Sequence, residues 1–145
     1  MATTAKLFGN FIKALGNKEI DLDNDQLKVM LCTSSYTPDQ DAHDYKNDVT
    51  NEVTGTGYTA GGQVLTGVTW TYDAATNTLK LDATDSAWTG STIVARYAVI
   101  YDNTPGTDAA RPLIGYVDFG ADISTTAGTF QITWNASGIV TVSVS

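Results

Sequence analysis

One histidine, one cysteine and two glutamates make a thin inventory for catalysis. His43 lies among Asp39, Asp41, Asp44 and Asp48. A triad needs a nucleophile and an orienting acid brought to such an imidazole, and no nucleophile-elbow pattern occurs in the chain. His43 therefore reads as a surface side chain. Cys32 has no adjacent base to draw out a thiolate and reads as an inert, buried thiol. A single cysteine closes no internal disulfide, which points to a reducing cytoplasm. One His and one Cys fall short of a zinc ligand set. Glu19 and Glu52 lie off the predicted core strands, which argues against the paired carboxyls, roughly 5–10 Å apart, of a glycoside hydrolase. Gly55-Thr56-Gly57-Tyr58 has neither the third glycine nor the strand–turn–helix setting of a dinucleotide fingerprint. The residues predict no enzyme and no cofactor.

Asp21-Leu22-Asp23-Asn24-Asp25 matches the opening of an EF-hand loop. The sixth position is Gln26 where the turn needs Gly, and the twelfth is Cys32 where a bidentate Glu belongs, so the EF-hand is rejected. The stretch reads as an acidic turn before a strand. A looser Ca²⁺ site on Asp21, Asp23 and Asp25 is the weaker alternative.

Around these residues the chain divides in two. Leu7, Phe8, Phe11, Ile12 and Leu15 share one face of a predicted helix over Ala5–Leu15, with a stop at Gly16-Asn17. A helix this short needs a surface on which to lay its apolar stripe, either its own domain or a neighbouring subunit. Residues 1–18 carry Lys6, Lys13 and Lys18 and no acid, a net of +3. Residues 19–145 carry five basic and sixteen acidic residues, a net of −11. That split predicts a basic arm on an acidic body. Deleting residues 1–18 is then expected to leave a folded monomer.

The body reads as β. There are 23 Thr and 13 Gly, and alternating apolar positions recur at Leu27–Leu31, Val68–Tyr72, Ile93–Tyr101, Leu113–Phe119, Phe130–Trp134 and Val140–Val144. About eight short strands, with turns roughly every ten residues, predict an all-β two-sheet sandwich of jelly-roll type, with an immunoglobulin-like sandwich second. Ile93–Tyr101 is apolar on both faces and reads as central. Trp70, Tyr72 and Trp134 alternate with polar residues and read as core. Trp88 falls in a predicted loop over Asp85–Ser91 and reads as an exposed contact. Thr33–Gly62 lacks a β pattern and reads as a long excursion with a short helix over 41–52. Connections of this length are often functional, which marks Tyr36, Tyr45 and Tyr58 as contact candidates.

A chain of 145 residues with 42% hydrophobic residues can bury a core without metal or disulfide. A net charge of −8 makes nucleic acid a poor partner. No apolar run approaches the ~20 residues of a membrane span. The first sixteen residues lack the unbroken apolar run of a signal peptide.

The N-terminal Lys6-Leu7-Phe8-Gly9-Asn10-Phe11-Ile12-Lys13-Ala14-Leu15, then Ile20-Asp21-Leu22-Asp23, Lys28–Pro38, Asp48–Val53, Gly57–Gly62 and Ala95–Tyr101 together cover most of the chain. This combination resembles small virion structural proteins of tailed bacteriophages and prophages. Within that group, a jelly-roll protein of this size is similar to head cement (decoration) proteins. The resemblance implies a non-enzymatic protein on the capsid exterior, made in the bacterial cytoplasm. It implies the major capsid protein as partner and a homo-oligomer, dimer or trimer. Leu7, Phe8, Phe11, Ile12 and Leu15 are the expected subunit contacts, with Lys6 and Lys13 meeting acidic neighbours. Two alternatives stand beside this: a tail- or fibre-associated virion component, and a carbohydrate-binding module that stacks sugars on Trp88.

Overall fold

The computed structural model describes residues 2–145. Ten strands and one short helix follow in order: β1 (Thr4–Leu7), α1 (Asn10–Gly16), β2 (Leu27–Cys32), β3 (Gln63–Val64), β4 (Thr69–Asp73), β5 (Thr78–Asp82), β6 (Ser86–Ser91), β7 (Val94–Asp102), β8 (Leu113–Ser124), β9 (Gly128–Ile132) and β10 (Val140–Ser143). The protein is mostly β and antiparallel throughout. The main sheet has the order β1-β8-β7-β2-β3, and β7 is its centre as its two-sided apolar pattern predicts. Smaller sheets, β10-β5-β4 and β6-β9, complete the architecture. A jelly roll distributes eight strands over two Greek keys; here β1, β2, β7 and β8 share one sheet.

Alternation along β2 and β7 gives the main sheet two buried faces. Val29, Leu31, Ala98 and Ile100 point inward to Leu81, Trp88, Phe130, Ile132 and Val140 of the smaller sheets. Met30, Cys32, Val99 and Tyr101 point the other way and meet Phe8, Tyr36 and Leu113. The long excursion therefore covers the outer face of the sheet: Tyr36 is buried there and Val49 packs beside it. A sheet whose two faces are both covered accounts for near-continuous apolar strands in an antiparallel fold.

Several expectations are corrected. The helix predicted over Ala5–Leu15 is split: Thr4–Leu7 pairs with β8, with Leu7 opposite Gly115, and only Asn10–Gly16 is helical. Local apolar spacing could not register the edge of β8, a pairing partner more than a hundred residues away. The 1–18 segment is accordingly no separable arm, because Phe8, Phe11 and Ala14 are buried in the chain's own core. The helix ends in a Schellman arrangement, in which Glu19 N–H donates to the Ala14 carbonyl and Lys18 N–H to that of Leu15. Lys18 holds the left-handed position (φ 61°) that such a stop usually gives to glycine. Only a 3-10 turn, Lys46–Asp48, occupies the helix predicted over 41–52. The loop predicted over Asp85–Ser91 is instead β6.

Candidate partner-binding surface

β1 is an edge strand: β8 pairs with one side of it and, among the described residues, no strand pairs with the other. An open edge presents unpaired backbone groups, which sheet proteins commonly blunt with lysine. Lys6 is exposed on that strand, and Ile12 and Lys13 are exposed on the helix that follows. Ile12 is 52% exposed, the only residue of the predicted stripe left largely open to solvent. Leu7 and Leu15 are half-buried, while Phe8 and Phe11 are fully enclosed and are not available to a partner. Beside β1 a groove of about 540 Å³ runs between the two layers, lined by Leu7, Val117, Phe119, Ile132, Trp134 and Val140 among others. What remains exposed of the predicted contact set is thus Lys6, which lines the groove, with Ile12 and Lys13 on the helix that follows β1.

The tyrosines of the excursion are structural. Tyr36 is 1% exposed; its hydroxyl lies 3.0 Å from His43 Nδ1 and burial pushes its pKa up. Asp39 N–H also donates to that nitrogen, at 3.2 Å, which places the ring proton of a neutral His43 on Nε2. His43 thereby ties the outer lid together. Tyr45 donates to Glu19 at 2.8 Å, linking the excursion to the end of α1, and this carboxylate holds the phenol above its ordinary pKa. Tyr58 receives the Leu31 N–H at 3.0 Å and donates to Glu52 at 2.7 Å. Burial, with Glu52 adding to it, pushes the Tyr58 hydroxyl far above its usual range. Glu52 also accepts from the Gly61 N–H at 2.5 Å, so one carboxylate organises both ends of the glycine-rich stretch.

Trp88 is corrected outright. It is 2% exposed, stacked near Tyr58 and edge-on to Phe130, and cannot serve as a sugar platform in this fold. Tyr72 is corrected in the other direction, since it is 54% exposed rather than core. Trp70 and Trp134 are half-buried. β4 is the edge of its sheet and Trp134 lies beyond the end of β9, so alternation no longer separates core from solvent at either place.

Cys32 is fully buried, and burial together with Glu52 pushes its thiol up to about 12. The Asp21–Asp25 carboxylates turn back on their own loop: Asp21 accepts from Asp23 N–H and Asn24 Nδ2, and Asp25 from Asp21 N–H. Among the described residues no three His, Cys, Asp or Glu side chains converge as a metal site, and no helix is long and apolar enough to cross a membrane.

Sequence reasoning missed two ionic clusters. Arg96 on β7 pairs with Asp118 on β8 at 2.6 Å, which lowers the carboxyl pKa and raises that of the guanidinium. Lys46 and Arg111 both reach Asp108, at 2.8 and 2.7 Å. Arg111 and Asp108 are three residues apart, a visible signal, but Lys46 joins them only through the fold. No family model, curated protein or solved structure matches this chain.

Proposed function

We propose that this protein is a non-enzymatic cement protein of a tailed-phage capsid, binding the outside of the major capsid shell. The observation that carries this reading is Lys6 on an open sheet edge that lines an apolar groove, with Ile12 and Lys13 exposed on the following helix, on a body that is otherwise acidic. An unpaired edge with an adjacent groove suits addition of an extended segment: main-chain bonds supply affinity and alternate side chains enter the groove. The lysines steer an acidic surface toward it. The sequence resemblance supplies the identity of that surface, the major capsid protein. The sandwich with a covered outer sheet supplies a rigid base, and the proposal needs only this coarse architecture, not a jelly-roll order. Binding only to the assembled shell stabilises it by mass action, and many symmetric copies, as dimers or trimers, add avidity.

The test is co-sedimentation of the purified protein with shells of a tailed-phage major capsid protein from the same source. Lys6→Glu with Lys13→Glu leaves buried contacts intact and is expected to abolish sedimentation. Equal sedimentation of that variant and the parent would remove these lysines from the interface. Labelling of whole particles distinguishes the tail reading, which predicts signal at the tail and none on heads.

A further inference from the structure

The strongest unexplained chemistry lies away from these lysines, at the far end of the inner core. Asp102 is the last residue of β7 and is completely buried. It continues the inward-facing series Ala98, Ile100, Asp102, and it lies opposite Leu27 in the β2–β7 register. One of its oxygens accepts the Thr104 N–H at 2.8 Å. The other, Oδ2, has no hydrogen-bond partner. A buried carboxylate oxygen without a donor is costly, so an explanation is required.

Asp25 supplies one. It lies in the turn just before β2, which is tied to the end of β7: Gln26 N–H donates to Thr104 Oγ1 and Asn103 N–H to the Gln26 carbonyl. Its carboxyl is the acidic group that acts on Asp102. No lysine or arginine pairs with either acid. Each element packed there has its charges directed elsewhere. In the turn before β2, Asp21 accepts from Asp23 N–H and Asn24, and Asp23 is exposed. Just before β8, Arg111 bonds Asp108 and the Pro105 carbonyl. Lys28 pairs in register with Tyr101 and so stands on the opposite face. Neutral groups close the surroundings: Thr104, Gln26 and Asn103 bond one another, the last donating to Gln26 through its side chain as well.

We propose that Asp102 is held protonated and that its carboxyl donates to Asp25, forming a pH-sensitive latch between the turn before β2 and the end of β7. The proton turns the unpartnered oxygen into a donor, as in other close carboxyl pairs. Burial, with Asp25 adding to it, raises Asp102 to about 7. An acid whose folded pKa exceeds its unfolded value stabilises the fold fully below the unfolded pKa. That contribution is lost as pH rises toward the folded one. The latch is therefore closed in mildly acidic solution and loosens near neutrality, where two carboxylates face each other at the sheet's end.

Thermal unfolding of the full chain across this range tests it. Asp102→Asn keeps the acceptor for Thr104 and gives Asp25 a permanent amide donor. Its melting temperature is expected to exceed the parent's at about pH 8 and to match it at about pH 5, with a gap that opens by roughly 4 °C or more. Asp25→Asn, in which an amide likewise faces Asp102, is expected to flatten the same part of the profile and serves if the first variant does not fold. Parallel profiles for parent and variants would overturn the proposal. So would Ca²⁺ raising the parent's melting temperature at about pH 8 but not that of Asp102→Asn, which would make the pair a cation site.

Discussion

Glu52 shows how far one side chain's role depends on what the fold brings to it. In sequence it is one of two glutamates beside a glycine-rich stretch; in the structure it accepts from Tyr58 and from Gly61. Tyr58→Phe removes the acceptor for Leu31 N–H and a donor to Glu52. It is expected to cost about 1–3 kcal/mol in urea unfolding, the penalty of buried groups left unpaired. Trp88→Ala is expected to cost about 3–5 kcal/mol, the usual cost of emptying a large aromatic site in a core. A stable Trp88→Ala protein would contradict the burial described above. Cys32 was legible as a buried thiol from its place in an apolar strand. With its pKa pushed up to about 12, it is expected to resist alkylation in native buffer near pH 8 and to react at once in denaturant. Trp88 was not legible, because the residues around it, Ser86, Thr89, Gly90 and Ser91, carry turn chemistry. Only the pairing of β6 with β9 turns that segment into a strand.

The elements divide along the same line. Strands with strict alternation, β2 and β7 above all, lie where the pattern puts them, since a one-residue slip would turn every core side chain to the other face. The N-terminal segment does not. Gly9 interrupts it, and its N–H is taken by the Gln40 carbonyl of the excursion. The chain gains more by adding Thr4–Leu7 to β8 than by extending a marginal helix. Deletion of residues 1–18 therefore removes an edge strand and the core residues Phe8, Phe11 and Ala14. It is expected to yield unfolded or aggregated protein by circular dichroism, contrary to the folded monomer that an independent arm would leave. At the end of α1, Lys18→Gly relieves a left-handed backbone at an exposed site. A gain of about 0.5–1 kcal/mol in unfolding free energy is expected, from the steric cost that a side chain carries there.

For the whole molecule, charge gives an expectation of its own. Asp108 and Asp118 are held below the ordinary range, first of all by hydrogen bonds from Lys46 and Arg96. Their stabilisation is present above the unfolded carboxylate pKa and is lost as pH falls through the folded values. Asp102 acts in the opposite sense between about 4 and 7. Stability is thus expected to peak in mildly acidic solution and to decline on both sides, measured by melting temperature against pH. The proposed attachment of Lys6 and Lys13 to an acidic shell surface is expected to weaken as salt rises, because exposed charges are screened over about 10 Å at 0.1 M.

Composition and alternation by themselves determined that this is an antiparallel-friendly, all-β chain with a central two-sided strand, a poor catalytic inventory and a basic start on an acidic body. Those properties are local or additive, and they survive any strand order. Tertiary structure alone decided that the first strand is an edge, that the excursion lids the outer sheet face, that Trp88 is core while Tyr72 is exposed, and that Asp102 is buried at the end of the central strand. Each of these depends on pairings between residues tens of positions apart or more, where the outcome is set by which backbone edge and which apolar face remain to be covered once the central strands have joined.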